Sequence, residues 1–184
     1  MYNLTYACKR KRCIYCSKKA KRGKQGSLDH RYPRDTGGIS ITDNLSPCCQ
    51  KCNSKKSNLT HEQFLVWRNL PKAEAKKYLE TVKEDREFIL KTVGFILPAE
   101  WVEYEERDKV ICDDTEQYVK GKRYYKIQEF YSKYQQFPRP AVVDKNIRIL
   151  DGYNTILFAR DNNIEYVPVV KLENVVRVTE RGAV

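Results

Sequence analysis

An α+β protein in two parts is predicted from three features of the chain. Two C-x-x-C pairs, Cys13/Cys16 and Cys49/Cys52, stand 32 residues apart; apolar residues recur near a 3.6-residue period between Pro71 and Val93; and helix, strand, strand, helix and strand patterns succeed one another from about Gln117. Residues 1–68 are therefore expected to form a metal-stapled unit, 69–116 a helical spacer with an acidic linker, and 117–184 a small α/β unit.

The cysteine spacing carries the first expectation. Each pair can place two thiolates at about 2.3 Å from one ion, so the four together read as one closed tetrahedral structural zinc site. The adjacent Cys48 and the upstream Cys8 are open as substitute ligands, with the two-residue spacing to Cys52 favouring Cys49. The chain has no apolar run of ~18 residues and no signal-peptide core, which predicts a cytoplasmic protein with reduced cysteines and no membrane partner.

Charge is placed unevenly. Residues 1–60 hold 14 Lys+Arg against 3 Asp+Glu, whereas residues 61–184 hold 21 against 21, so the whole excess of +11 lies in the first third. A basic segment of that density attracts a polyanion, and beside a zinc module the expected one is nucleic acid. Lys9, Arg10, Lys11 and Arg12 precede the first cysteine pair and Lys18 and Lys19 follow it, in position to contact phosphate.

Between the pairs, Ser27-Leu28 leads as a short strand into Asp29-His30. Pro33 and Gly37-Gly38 force an irregular loop, Asn44-Leu45-Ser46 starts a second strand, and a short helix after Cys49 carries Asn53 and Lys56 on neighbouring turns. Thr60-His61-Glu62-Gln63 has the form of a capping box and opens a further helix. His61, the second of two histidines, reads as a surface residue of that first turn. The periodic segment after Pro71 is a long amphipathic helix stopped at Gly94, and Pro98–Glu116 is the acidic linker.

The residues of the central segment suit phosphodiester hydrolysis. That reaction needs a base for water and a divalent ion for the charge on phosphate and leaving oxygen. His30 titrates near neutrality and can be the base. Asp29, on the other side of the strand, supplies a hard oxygen, and Asn53 a second one without added charge. Two protein ligands leave room for water and phosphate, as Mg²⁺ prefers.

The pattern C-x-x-C, D-H-x-x-P-x-x-x-G-G, N-L, C-x-x-C-N-x-x-K resembles the HNH endonuclease family with its ββα-metal fold, over roughly residues 8–68. The resemblance implies His30 as general base, Asp29 and Asn53 as ligands of a catalytic Mg²⁺ or Mn²⁺, and Asn44 pinning the loop that aims His30. It also implies Lys56 approaching phosphate, with Arg31 in the same nucleic-acid-binding set, and Cys13, Cys16, Cys49 and Cys52 around a structural zinc. Asn53 stands where the family more often has histidine.

In the last part, Tyr124–Tyr131 reads as a helix, Ala141–Asp144 and Ile147–Gly152 as strands, Tyr153–Asn162 as a helix and Val167–Leu172 as a strand. The D-G turn at Asp151-Gly152 and the V-P-V strand resemble the ParB N-terminal and sulfiredoxin-like fold over about residues 124–175. That family typically has an arginine after the turn to hold nucleotide phosphate, and Tyr153-Asn154-Thr155 offers none, so nucleotide hydrolysis is not expected.

The expected function is a metal-dependent DNA endonuclease that nicks as a monomer, with a homodimer or protein contact through the C-terminal unit. Its rivals are a non-catalytic zinc module that binds nucleic acid and a nucleotide-responsive adaptor centred on the C-terminal unit.

Overall fold

The computed structural model describes residues 12–18, 26–112 and 120–172, and the chain divides into two compact units, Met1–Asp85 and Arg86–Val184. Cys8, Lys9, Arg10, Lys11 and Lys19 lie outside the described residues.

In the first unit, β1 (Gly26–His30) pairs antiparallel with β2 (Leu45–Cys49), with Asp29 opposite Ser46 and His30 opposite Leu45. Their connection, residues 31–44, is far longer than a hairpin turn and is held by two 3₁₀ turns, Arg34–Thr36 and Thr42–Asn44. The carbonyl of Pro33 accepts from the amides of Thr36 and Gly38 and from the Thr36 hydroxyl. Both glycines are required there. Gly37 takes φ of 88°, the left-handed region, and a Cβ at Gly38 would run into the Tyr32 carbonyl oxygen.

Helix α1 (Gln50–Lys56) starts directly after Cys49 and packs against both strands, completing a ββα unit. Helix α2 (His61–Asn69) carries the expected capping box. Thr60 Oγ1 accepts from the Gln63 amide at 3.2 Å, and Gln63 Oε1 accepts from the Thr60 amide at 2.9 Å. Helix α3 (Lys72–Thr92) ends before Gly94, whose φ of 92° an L side chain resists. Its periodic residues Tyr78, Leu79 and Val82 join Tyr15, Leu59, Phe64 and Trp67 in a core that also encloses the cysteines.

The second unit holds a four-stranded sheet in the order β3 (Glu103–Glu106), β6 (Tyr166–Lys171), β4 (Ala141–Val143), β5 (Ile149–Asp151). β4 and β6 run parallel, so the chain must cross over between them, and α5 (Tyr153–Asp161) lies within that crossover. Both central strands are almost wholly buried, which is why they read as continuous apolar runs. With α4 (Lys122–Tyr134) they enclose an aromatic core of Tyr124, Tyr131, Phe137 and Phe158.

One segment departs from the sequence expectation. The acidic stretch read as linker contributes β3, an edge strand paired to β6, and Val110 behind it is fully buried. Its carboxylates are structural, because Lys171 pairs with both Glu103 (2.8 Å) and Glu105 (2.5 Å). Four residues with little apolar content carry no strand period, and only the partner strand makes them one.

The D-G turn does what its sequence suggests at the backbone level. Gly152 has φ of 91°, and a Cβ there would meet the Ala141 Cα at 2.8 Å. Asp151 accepts from the Gly152 amide and is paired with Arg139 at 2.6 Å.

Candidate active site and metal centre

The metal centre follows from where the ββα unit leaves its sulfurs. Cys13 and Cys16 sit in the turn at 13–16. Cys49 ends β2, and Cys52 lies in the first turn of α1, so both pairs face one point. The four Sγ atoms lie within 4.8 Å of one another, and Cys16 and Cys49 are 3.7 Å apart. A tetrahedral ion with bonds of about 2.3 Å separates its sulfurs by about 3.8 Å, so the donor set fits a structural metal such as zinc. Burial pushes the Cys13 thiol up, and hydrogen bonds from the Cys49, Tyr15 and Cys16 backbones outweigh it, bringing it down to about 6. Cys52 moves the other way, pushed up by burial and by the neighbouring thiols, so binding a cation at this set releases protons.

Cys48 is settled by strand geometry. Adjacent residues of a strand face opposite ways, so Cys48 is turned into the core, fully buried, with its thiol donating to the Cys49 carbonyl. Its Sγ is 4.0 Å from Cys13, yet it is not one of the four mutually close sulfurs. Burial, first, and the neighbouring Cys13 and Asp29 raise its pKa, which keeps it a thiol.

Beside the metal centre runs a buried polar network. Tyr15, between the first two cysteines, donates to Asp29 Oδ2 at 2.6 Å, and Lys56 Nζ donates to Asp29 Oδ1 at 3.2 Å and to the His30 carbonyl at 2.8 Å. Asp29 is 3% exposed and Lys56 1%. Lys56 is therefore not a surface cation: its ammonium is committed to β1, and the expected approach to phosphate does not fit this placement. Tyr15 stays protonated, since burial and the Asp29 carboxylate both raise its pKa. His61 extends the chain with Nδ1 3.3 Å from the Tyr15 hydroxyl, which makes it a half-buried partner and not the free surface residue expected.

His30, Asp29 and Asn53 line one cleft of about 160 Å³ together with Pro33, Arg34 and Lys56. The His30 ring is half-buried, with Nε2 2.9 Å from Ser40 Oγ. Its pKa is lowered, first by burial and then by the Arg34 charge, against the opposing effect of Asp29, with Lys56 adding the smallest lowering. Neutral imidazole is thereby favoured, the form a base requires.

Asn44 is fully buried and closes the loop that presents His30. Its Oδ1 accepts from the Tyr32 amide at 2.7 Å, while Nδ2 donates to the carbonyls of Tyr32 (3.1 Å) and Ile39 (2.8 Å). The Asn44 carbonyl also accepts from the Arg31 amide. One amide side chain thus fixes both ends of a wide loop, a bidentate task for which Asn has the donors and acceptor.

Of the expected phosphate contacts, Arg12 is exposed and donates to the Ser17 carbonyl, Lys18 is exposed, and Arg31 faces Glu62 at 3.7 Å. Sequence reasoning missed Tyr15, Ser40 and Arg34. Tyr15 had a signal, being fixed between two metal ligands, whereas Ser40 and Arg34 owe their positions to the loop alone.

The first unit thus joins a ββα arrangement and a four-sulfur cluster able to hold a metal ion to a cleft lined by imidazole, carboxylate and carboxamide. Residues 13–66 match the family model described as HNH endonuclease, within the first unit. No curated protein and no solved structure matches the chain. Among the described residues, no helix is long and apolar enough to cross a membrane.

Proposed function

We propose that the first unit is a metal-dependent DNA endonuclease that hydrolyses one phosphodiester strand per encounter. The observation that carries the reading is the convergence of His30, Asp29 and Asn53 on one cleft, with His30 held from outside by Asn44 and Ser40. Asp29 and Asn53 are the residues that would hold a catalytic Mg²⁺ or Mn²⁺, each through a side-chain oxygen, Asp29 by a lone pair left over from its hydrogen bonds to Tyr15 and Lys56. When bound, that ion carries charge on the scissile phosphate and the leaving oxygen.

His30, neutral at physiological pH, takes a proton from the attacking water through its unprotonated ring nitrogen. Tyr15 and Lys56 fix the Asp29 carboxylate in one orientation, and Lys56 ties the same strand through the His30 carbonyl. Arg34, at the mouth of the cleft, is placed to meet the non-bridging phosphate oxygens, a role the buried Lys56 leaves open. The products are a 5′ phosphate and a 3′ hydroxyl. With one such site among the described residues, a monomer nicks and a double-strand break needs two events.

A reducing cytoplasm suits the cysteines of the metal centre, which form no disulfide. The second unit, with its parallel β4/β6 pair, crossover helix and D-G turn, supports a ParB-like accessory role in positioning DNA or contacting a second protein.

Supercoiled plasmid treated with the wild-type chain or His30→Ala, each with Mg²⁺, Mn²⁺ or EDTA, tests the reading, with zinc content measured on the same samples. Metal-dependent conversion to open circle, lost in zinc-loaded His30→Ala, is expected. Equal nicking by both proteins refutes the assignment of His30, and salt-sensitive binding without cleavage favours a non-catalytic nucleic-acid module.

A further inference from the structure

The first unit has a second concavity besides the His30 cleft. It is an open groove of about 840 Å³ along the far side of α1, bounded by the metal centre, α2 and the start of α3. Asn53 and Lys56 of helix α1 line the cleft, while Lys51 and Lys55, each two residues from Asn53 and so roughly half a turn away from it, line the groove with Cys52.

The chemistry of the groove is specific. Five cations line it, Lys18, Lys51, Lys55, Arg68 and Lys72, and no carboxylate does. The four lysines are exposed, and none forms an ion pair among the described residues. Arg68 is anchored by a hydrogen bond to the Tyr15 carbonyl. A tetrathiolate zinc centre carries a net charge of −2, so it offsets two of the five and leaves the groove cationic. Its floor is apolar: Trp67 lies half-buried, stacked on Phe64 with ring centroids 5.7 Å apart and planes 25° from parallel, beside Leu70.

We propose that this groove binds a single strand of DNA, with phosphates on the lysines and an unpaired base on Trp67. Lysines alone would suit any polyanion. The aromatic floor selects among them, because a duplex keeps its bases stacked inside and offers no π-face to Trp67, whereas an unpaired strand does. An acidic peptide meets the lysines and leaves the indole unused. That the strand is DNA rests on the nuclease reading; that it is unpaired rests on the groove itself. A nuclease with this groove holds the strand flanking its cleft in unpaired form, which directs it to nicked, displaced or frayed DNA in preference to intact duplex.

The chain has two tryptophans, and Trp101 is buried in the other unit. The His30→Ala/Trp101→Phe protein therefore reports on Trp67 by emission with cleavage blocked. Titration at low salt without added divalent ions uses a twelve-residue oligo-dT, a twelve-base-pair duplex and polyglutamate. Quenching by oligo-dT alone is expected. Lys51→Ala/Lys55→Ala on the same background should lower oligo-dT affinity at least tenfold and reduce the salt slope by roughly 1.4, two phosphates' worth of released counterions.

Trp67→Leu, read by oligo-dT anisotropy and accepted only with full zinc content, should lose roughly tenfold or more. Equal quenching by duplex or polyglutamate, no quenching by oligo-dT, or an unchanged salt slope in the lysine variant overturns the proposal. Plasmid cleavage by the wild-type chain is scored separately, so failure of the nuclease reading and failure of the groove reading are told apart.

Discussion

Replacing Lys56 by methionine separates a buried structural cation from a phosphate contact. Lys56 Nζ lies 3.2 Å from Asp29 Oδ1, with side-chain exposures of 1% and 4%. At an effective dielectric constant near 20 their gross attraction is on the order of 5 kcal/mol, against a desolvation cost of several kcal/mol for each ion. The pair is therefore close to balanced in net terms. Its disruption is not, because Lys56→Met leaves the Asp29 carboxylate buried, with the Tyr15 hydroxyl still donating to Oδ2 and no cation at Oδ1. A loss of about 3–5 kcal/mol is expected. For a unit of this size that lowers the melting temperature by more than about 12 °C. The assay is thermal unfolding of zinc-loaded full-length protein, following the zinc-dependent transition so that the second unit does not mask it. Asp29→Asn/Lys56→Met should recover much of the loss, since it removes the stranded charge. A surface lysine that binds phosphate would behave in the opposite way, with the melting temperature within about 1 °C of wild type and the salt slope of DNA binding reduced by roughly 1. That result would refute the buried-pair reasoning.

Other outcomes follow from the same geometry. Asn44→Ala strands the Tyr32 amide and the Tyr32 and Ile39 carbonyls, at a cost of about 2–4 kcal/mol, and nicking should fall at least a hundredfold while zinc content, measured by chelator titration, stays at one per chain. The acid limb of the nicking rate should lie below pH 6.5: the His30 pKa is lowered by burial, Arg34 and Lys56, so the active neutral form persists as pH falls through 6.5 and is lost only beneath it. Arg34→Gln should move that limb upward, towards 6.5, in a pH–rate profile taken at saturating metal. Removing the structural metal should melt the first unit and leave the second folded, since the sulfurs cross-link elements of the first alone; circular dichroism of the chelated protein should retain the β3–β6 sheet, and Co²⁺ in place of zinc should give the intense thiolate charge-transfer bands of an S₄ site.

Much of the site was legible in the sequence because its parts are short-range. C-x-x-C spacing brings two thiolates together within a turn, whatever the rest of the chain does. The strand–loop–strand–helix order around Asp29, His30 and Asn53 is set by Pro33, Gly37, Gly38 and the three-residue step from Asn53 to Lys56, close to one helical turn. The capping box at Thr60 and the stop at Gly94 were equally local. In the second unit the apolar runs of β4 and β6 read as strands, and the structure buries both, which accounts for their lack of polar alternation.

Tertiary structure decided what no window of sequence contains. Whether Lys56 reaches solvent or Asp29 depends on the packing of α1 against β1, which sets the ammonium 2.8 Å from the His30 carbonyl. The pairing of Tyr15 with Asp29 and His61 spans 14 and 46 residues, and the membership of Glu103–Glu106 in a sheet depends on β6, some sixty residues away. The basic groove is likewise assembled from separated stretches, and its five cations and indole read in sequence only as a basic chain with an ordinary tryptophan. Sequence determines which groups can ionise, coordinate or turn. Burial and distance determine which of them do so together, because the energies that assign a charge to a carboxylate or to solvent depend on the dielectric and the partners that only the folded chain supplies.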